Sequence, residues 1–527
     1  MELFNDIFTG DEAKEKLLVG VRTMASAVKS TLGAAGNTVL IESPNHTHGI
    51  TVTKDGVTVA KSISLIDPVE NLAVKMMKEA AEKTATSAGD GTTTAIVLTE
   101  AIVENGFRAI TSGKVNRTDI LRGLTRHTEF VLKGLDDMAV KISDENLLDV
   151  ATISANNDKE IGKVVSDVYK QVGINGFVTV EKSKTSQTHT DATSGIKIER
   201  GYSSPMFVNN QRKDECILED VAILVADSEI SNILQIENVL RPIISERKSL
   251  LIIAPCTNNV IATFAANVLK NGMKLCVVQP PSFGYKQNEL MSDIAVGVGA
   301  KYFSEKVGDD LSLISLSDLG FAKKVVVSKE DTIIIGADGD EAEIEVRVSE
   351  LMAAKELATK KADMDFISTR IASITGGIGV IYVGGNTDLE QKELFDRVDD
   401  AVCAVRSAIE EGIVPGGGIA LRDMANIIDA VVSHSTEEDR IAKDILFDSM
   451  YAPFDQILKN AGIDPSNYDG ILEMGVGLDI KTMATGSMIE LGIIDPVKVT
   501  KNALTNAVSV ASTILSTNSI ITIAREK

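Results

Sequence analysis

Residues 67–107 read DPVENLAVKMMKEAAEKTATSAGDGTTTAIVLTEAIVENGF, two helical runs broken by a short glycine-rich turn. Asp67 is placed to cap the first helix, Pro68 takes a first-turn position that needs no amide hydrogen, and Glu70 falls where a capping box would close. The run breaks at Ala88-Gly89-Asp90-Gly91, and a second helix is expected from about Thr92 to Phe107. Two packed helices joined by a Gly-Asp-Gly loop are a good place for a ligand. The glycines let backbone amides approach it, the amides at the helix start attract anions, and Thr92, Thr93 and Thr94 add hydroxyls. A carboxylate among phosphate-binding groups would repel phosphate unless a cation stood between them, so Asp90 makes sense as a Mg²⁺ ligand. The same residues also fit a plain capped helix start, with the threonines satisfying the first amides.

Outward from this pair, residues 1 to about 136 read mostly as helix, and from about 412 the chain returns to long helices of the same kind. One of these follows Asp495-Pro496 through VKVTKNALTNAVSVASTIL, with Asp495 in the form of an N-cap. The middle, about 195–376, alternates strands (VAILVAD, SLLIIA, KLCVVQ) with helical runs such as NVIATFAANVLKN, and KKVVVSKEDTIIIG is a further strand pair. Similar ends around a different middle imply an α/β multidomain chain whose two ends form one domain with the centre inserted. Gly195, Gly376-Gly377 and Gly412 lie near the junctions, as hinges or as ordinary turn glycines.

Composition sets the bounds. At 527 residues about three domains are expected, with 44% hydrophobic residues for a core but only 4% aromatics and no Trp, so the core must be aliphatic and Ala-rich. The formal charge of −22 argues against nucleic acid as the main partner, because phosphate binding needs a surplus of Lys and Arg. Cys216, Cys256, Cys276 and Cys403 are scattered with no C-x-x-C pair, and read as small hydrophobes in a reducing compartment. No signal-peptide pattern opens the chain and no run approaches 18 apolar residues, so a cytoplasmic protein without a membrane span is expected. His46 and His48 read as solvated loop residues, with no metal assigned to them.

No G-x-x-x-x-G-K-[ST] loop occurs, and the glycine clusters 384–385 and 416–418 lack the strand-to-helix setting of a dinucleotide site. Thr31-Leu32-Gly33-Ala34-Ala35-Gly36 and Thr53-Lys54-Asp55-Gly56 have the materials of ligand loops, but each alone is more simply a turn. Asp399-Asp400, within RVDDAVCAVRSAIEEG, reads by itself as a solvated helix face.

In order along the chain, however, TLG-x-x-GN, TKDGVTVAK, AGDGTTTA, TISANND, RGYSSPMF, RVDDA, EEGIVPGGG and GIIDPVKVT resemble the motifs of the group I chaperonins, the GroEL-like family. The resemblance spans essentially the whole chain. It implies an ATP-hydrolysing, protein-folding homo-oligomeric ring, with seven subunits as the family expectation. An equatorial domain would comprise 1–136 and 412–527, an intermediate domain 137–194 and 378–411, and an apical domain 195–377. By position, the resemblance puts ATP among Thr31, Leu32, Gly33, Ala34, Lys54, Asp90, Gly91, Thr92, Thr93, Thr94, Gly417, Asp479, Ile480, Lys481 and Asp495. Asp90 would hold Mg²⁺, and Thr31, Lys54 and Thr93 would suit the family's K⁺. Asp400 would orient the attacking water with Asp55 nearby, and Asp495 would serve as helix cap and ribose ligand at once.

The chain also departs from its relatives. Asp479-Ile480-Lys481 stands where the family usually has Asn-Ala-Ala. The positions matching the family's client groove are Met206, Phe207, Glu237, Leu240, Ile261, Ala265 and Ala266, with a carboxylate at 237 where an apolar residue is usual. Weaker or narrower client capture is expected, and the co-chaperonin loop that shares the groove would meet the same change. Asp455 and Asp464 stand where many double-ring relatives pair Arg with Glu, so weak ring-to-ring stacking is expected. The chain stops at Ile-Ala-Arg-Glu-Lys without Gly-Gly-Met repeats, as in a divergent lineage, virus-encoded ones included. A ring scaffold with reduced or specialised folding activity is the competing reading; a small-molecule kinase or dehydrogenase has no motif behind it.

Overall fold

The computed structural model describes residues 5–42, 50–112, 115–173, 176–211, 213–358, 360–434, 436–468 and 472–523. His46, His48 and the last four residues lie outside them. The chain divides into two compact units: Met1–Ser166 with Asp388–Lys527, and Asp167–Thr387. The ends therefore form one body around an inserted middle.

The first unit is helical. In the helix Pro68–Ala88 the buried side chains Val69, Ala73, Val74, Met77, Ala80, Ala81 and Ala88 recur at helical spacing. Asp67 accepts the amides of Val69 and Glu70, which is the expected cap, and it also takes an ion pair from Lys16. Gly89 ends the helix at φ 76, where any other side chain would be strained. The second helix runs Thr92–Ser112, about one turn longer than expected, because Ala109 and Ile110 still pack against the core. The helix Gly10–Lys29 packs closely on the first: a Cβ at Gly20 would stand 2.3 Å from the Glu70 carbonyl oxygen. Leu, Ile, Val, Met and Ala build the core as the composition requires, and fully burying one such larger side chain is worth about 1.5–3 kcal/mol. The chain ends meet in a two-stranded antiparallel sheet, Asn5–Thr9 against Ser519–Ile523.

Asp495 is not the helix cap that its place before Pro496 suggests. It lies in the short strand Ile494–Pro496, paired with Ile413–Pro415, and Pro496 takes the cap position of the helix Val497–Ser516 without a side-chain bond. The Asp495 carboxylate accepts the Gly417 amide instead.

The second unit is built on a sheet that has nine strands among the described residues. Its order is Phe177–Lys182, Gly377–Val383, His189–Ile198, Thr332–Ala337, Gly320–Val327, Cys216–Ala226, Ser249–Ile253 and Leu275–Val278, with Tyr302–Phe303 added against Cys216–Ala226. The three strands predicted from VAILVAD, SLLIIA and KLCVVQ are parallel neighbours, buried on both faces, which is why they read as unbroken apolar runs. The helix Asn258–Asn271 lies between two of them in sequence, and KKVVVSKEDTIIIG forms the antiparallel pair 320–327 and 332–337. Gly195 is no free hinge. It sits inside a strand, paired with Ile335, and a Cβ there would come 1.9 Å from Ile378 Cδ1.

Candidate functional site

Four segments of the first unit converge on a cleft. The Gly89-Asp90-Gly91 turn is held between two helices. A Cβ at Gly89 would stand 2.1 Å from Cys403 Cβ on the helix Asp388–Glu411, and one at Gly91 would stand 2.7 Å from Val499 on the helix Val497–Ser516. Gly91 is left-handed at φ 85, and its amide turns back onto Asp90 Oδ1 at 2.5 Å. Thr92 is buried, while Thr93 and Thr94 keep partial exposure at the helix start.

The second segment is Lys54-Asp55-Gly56. Asp55 caps the short helix Gly56–Ser62, accepting the amides of Val57 and Thr58 at 3.0 and 2.8 Å and the Thr58 hydroxyl at 2.6 Å. Gly56 abuts the Thr93 side chain so closely that a Cβ would lie 2.1 Å from Thr93 Oγ1. Lys54 precedes this cap. The third segment is the helix Asp388–Glu411, which carries Asp400 and bonds Ser407 to the Ala88 carbonyl at 3.1 Å. The fourth is the strand with Asp495, joined to Gly417.

Asp90, Asp400 and Asp495 are each surrounded by protein yet keep part of their surface open, as groups lining a cleft do. Burial raises the proton affinity of all three. Asp90 is pushed up further by Asp55, against the Gly91 amide and the Ser154 hydroxyl. Asp400 is pushed well above the carboxylate range, with Asp90, Asp55, Asp399 and Asp396 adding to burial. Asp495 rises to about 7 through burial and Asp90. Among the described residues none of the three is ion-paired with a basic side chain, and no group of three His, Cys, Asp or Glu could hold a metal unaided. Such a cleft is short of positive charge at the start of a helix that favours anions. An anion that brings a divalent cation satisfies both demands, and Mg²⁺ bound by one carboxylate plus phosphate oxygens fits this donor set.

The remaining sequence-derived residues are placed as follows. The turn Thr31-Leu32-Gly33-Ala34 has Gly33 at φ 82 against Ile457, and Asn460 donates to the carbonyls of Lys29 and Leu32, both at 2.9 Å. Asp479 accepts the Lys481 amide at 2.9 Å and the Thr482 hydroxyl at 2.6 Å, which together hold its carboxyl below the usual range; Ile480 lies between. Lys481 reaches out to Asn157. Ser154 was missed by sequence reasoning: its hydroxyl donates to Asp90 Oδ2 at 3.2 Å, and only the TISANND motif pointed to its neighbourhood. Nothing in the sequence marked Asn460.

The second unit holds the positions matched to a client groove, and it divides them. Met206 is 53% exposed, and Ile261, Ala266 and Glu237 are half-buried, Glu237 paired with Arg241. Phe207, Leu240 and Ala265 are core residues at 1–4% exposure and present no surface to a partner. Their neighbours Leu234 and Leu269, which the sequence reading passed over, stand 65% and 64% exposed. At the other proposed contact, Asp464 accepts the Ser466 amide at 3.1 Å in an exposed turn, and Asp455 lies half-buried on the helix Glu437–Asn460.

Residues 24–525 match the model of the TCP-1/cpn60 chaperonin family. Among solved structures the chain is similar to the chaperonin gp146 from the bacteriophage EL 2 (Pseudomonas aeruginosa) in presence of ATP-BeFx. Crystal form II of that protein has a TM-score of 0.73 at 23% identity and covers 100% of both chains. Crystal form I has a TM-score of 0.64, again at 23% identity, over 99% of each.

Proposed function

The chain belongs to the TCP-1/cpn60 chaperonin family, and on that premise we propose that it is an ATP-hydrolysing chaperone that forms a homo-oligomeric ring and promotes the folding of non-native proteins. The observation that carries this reading is the convergence of Asp90, Asp400 and Asp495 on the Gly-Asp-Gly helix start, with Asp55 at its side and no basic partner among the described residues. That the gp146 crystal structure is of the protein in presence of ATP-BeFx supports a nucleotide here too.

Phosphoryl transfer asks for charge neutralisation, positioning and an oriented nucleophile. Asp90 would hold Mg²⁺, which would supply the neutralisation. The amides at the start of the helix Thr92–Ser112 and the hydroxyls of Thr93 and Thr94 receive phosphate oxygens. The turn Thr31 to Ala34, with Gly91, Thr92, Gly417, Asp479, Ile480 and Lys481, encloses the rest of the nucleotide, and Asp495 meets the ribose. The backbone at Thr31 and Lys54 with the Thr93 hydroxyl suits K⁺. Asp400 orients the attacking water, and Asp55 fixes the neighbouring loop. The ring has seven subunits in the cytoplasm, each with equatorial, intermediate and apical domains, and clients bind the apical face around Met206, Ile261 and Ala266. A co-chaperonin would compete for that face, and like charges at Asp455 and Asp464 weaken stacking of two rings.

A second reading, an ATP-binding ring scaffold with specialised client handling, is favoured by the buried Phe207, Leu240 and Ala265 and by the Glu237–Arg241 pair in the proposed groove. One experiment separates the two: Mg²⁺-dependent ATP turnover measured alongside protection of an unfolded test protein from aggregation. Turnover with ATP-dependent protection and release supports the folding chamber. Turnover without protection supports the scaffold, and no turnover overturns the ATPase assignment.

A further inference from the structure

The helix Asp144–Ser154 and the helix Lys159–Val172 are joined by a tight turn at residues 155–158. Asn156 and Asn157 are both left-handed, at φ 55 and 64, a conformation Asn tolerates better than most residues. The Asn157 amide donates to the Thr152 carbonyl at 2.8 Å, and the Asp158 amide to the Ala155 carbonyl at 3.2 Å.

This turn is tied on both flanks. On one side Arg397 donates to Asp158 Oδ2 at 3.0 Å from the helix that carries Asp400. On the other, the Lys481 ammonium donates to Asn157 Oδ1 at 2.7 Å. Lys481 reaches out from a rigid base. Its own amide bonds Asp479 Oδ1 at 2.9 Å, the Thr482 hydroxyl bonds Asp479 Oδ2 at 2.6 Å, and the Met483 amide bonds the Asp479 carbonyl at 2.7 Å. The helix behind the turn reaches the carboxylate cleft: Ser154 bonds Asp90, and Asp149 lies where a Cβ at Gly492 would be 3.0 Å from its Cγ, just before the strand of Asp495.

We infer that Lys481 is a positioning residue whose bond to Asn157 clips the 155–158 turn across the flank of the cleft and sets how fast bound nucleotide leaves. The inference rests on the nucleotide reading given above. With the clip in place, the wall that touches Asp90 through Ser154 is anchored at both ends; without it, only the Arg397 side remains. A charged hydrogen bond at a partly exposed site is of a size to change a rate about three- to tenfold.

The test uses the full chain and its variants Lys481→Ala and Lys481→Arg. Amide hydrogen exchange over residues 154–158 is measured without nucleotide, and release of mant-ADP with Mg²⁺ is measured by chase with unlabelled ADP. Lys481→Ala is expected to exchange faster across the turn and to release mant-ADP about three- to tenfold faster. Lys481→Arg, which keeps the cationic donor, is expected to stay near wild type in both. Unchanged exchange in Lys481→Ala overturns the clip itself, whatever the nucleotide does. Faster exchange with unchanged release overturns its control of nucleotide residence. An effect of equal size in both variants overturns the role of the charged donor. A wild-type chain that binds no mant-ADP overturns the nucleotide reading and the release role together, and the exchange data still judge the clip separately.

Discussion

Gly89 and Cys403 are packed backbone to side chain: a Cβ on the glycine would fall 2.1 Å from Cys403 Cβ. The contact seats the turn that bears Asp90 against the helix that bears Asp400, one turn away from Cys403, so the spacing of the two carboxylates depends on the missing side chain. Gly89 is also left-handed at φ 76. Gly89→Ala should therefore lower thermal stability, with backbone strain alone costing about 1–2 kcal/mol. It should slow ATP hydrolysis more than it weakens ATP binding. Equal losses in the two would show that the spacing does not matter.

Burial raises Asp495 to about 7, with Asp90 adding to it and the Gly417 amide opposing. Between the unfolded value of 3.8 and 7, the folded protein keeps a proton that the unfolded chain has released, so stability falls as pH rises through that window. Asp90 and Asp400 shift in the same direction. Without Mg²⁺ and nucleotide, the protein should melt at a higher temperature at pH 5 than at pH 7. Asp495→Asn should flatten that difference, and a variant that keeps the full difference would contradict the assignment. The measurement is calorimetry at both values.

Glu237 holds a carboxylate, paired with Arg241, on the face proposed for clients. Glu237→Leu adds apolar surface there at about 25 cal/mol per Å² buried, enough for several-fold tighter capture of an unfolded protein. Fluorescence titration of a labelled unfolded client checks this. Unchanged affinity would mean that the polar position is not what limits capture.

In the second unit, Asp293 and Arg370 are buried, at 4% and 3% exposure, and bonded at 2.5 and 2.9 Å. Arg347 joins Asp293 at 2.8 Å, and Glu289 accepts from Arg370 at 2.7 Å. The two helices Glu341–Leu357 and Lys361–Thr375 carry these arginines and share a small apolar cluster around Leu351, Ile367 and Ile374, so the ion network is a main anchor to the helix Gly284–Val298. Removing the Asp293 carboxylate leaves Arg370 with Glu289 alone and Arg347 with Glu289 and Glu350. Asp293→Ala should therefore destabilise this unit by about 1–3 kcal/mol, the cost of charged hydrogen bonds lost at a buried site. Denaturant unfolding followed by limited proteolysis of residues 341–375 would detect it, and a wild-type midpoint would contradict the network's role.

Local signals made much of the fold legible. The caps and breaks around residues 67–112 are written in Asp67, Pro68 and Gly89, and the central strands betray themselves as apolar runs too short for helices. What depended on distant partners was hidden. The pairing of Asn5–Thr9 with Ser519–Ile523 has no local code, and Asp495 looked like a cap because the strand Ile413–Pro415 that captures it lies far away in sequence. Phe207 and Leu240 could be read as surface only until the sheet that buries them was in view. At the site, Asp90 and its threonines were visible from residue type, whereas the Ser154 hydroxyl bond to Asp90 required the fold.

The central claim is that Asp400 acts on bound ATP from the helix Asp388–Glu411. The most direct measurement is single-turnover hydrolysis of Mg²⁺-ATP by wild type and Asp400→Ala, with ATP affinity measured on the same samples. The prediction is near-native binding with hydrolysis slowed about a hundredfold or more. Equal hydrolysis rates in the two proteins would contradict it and leave Asp400 as a carboxylate of the cleft wall.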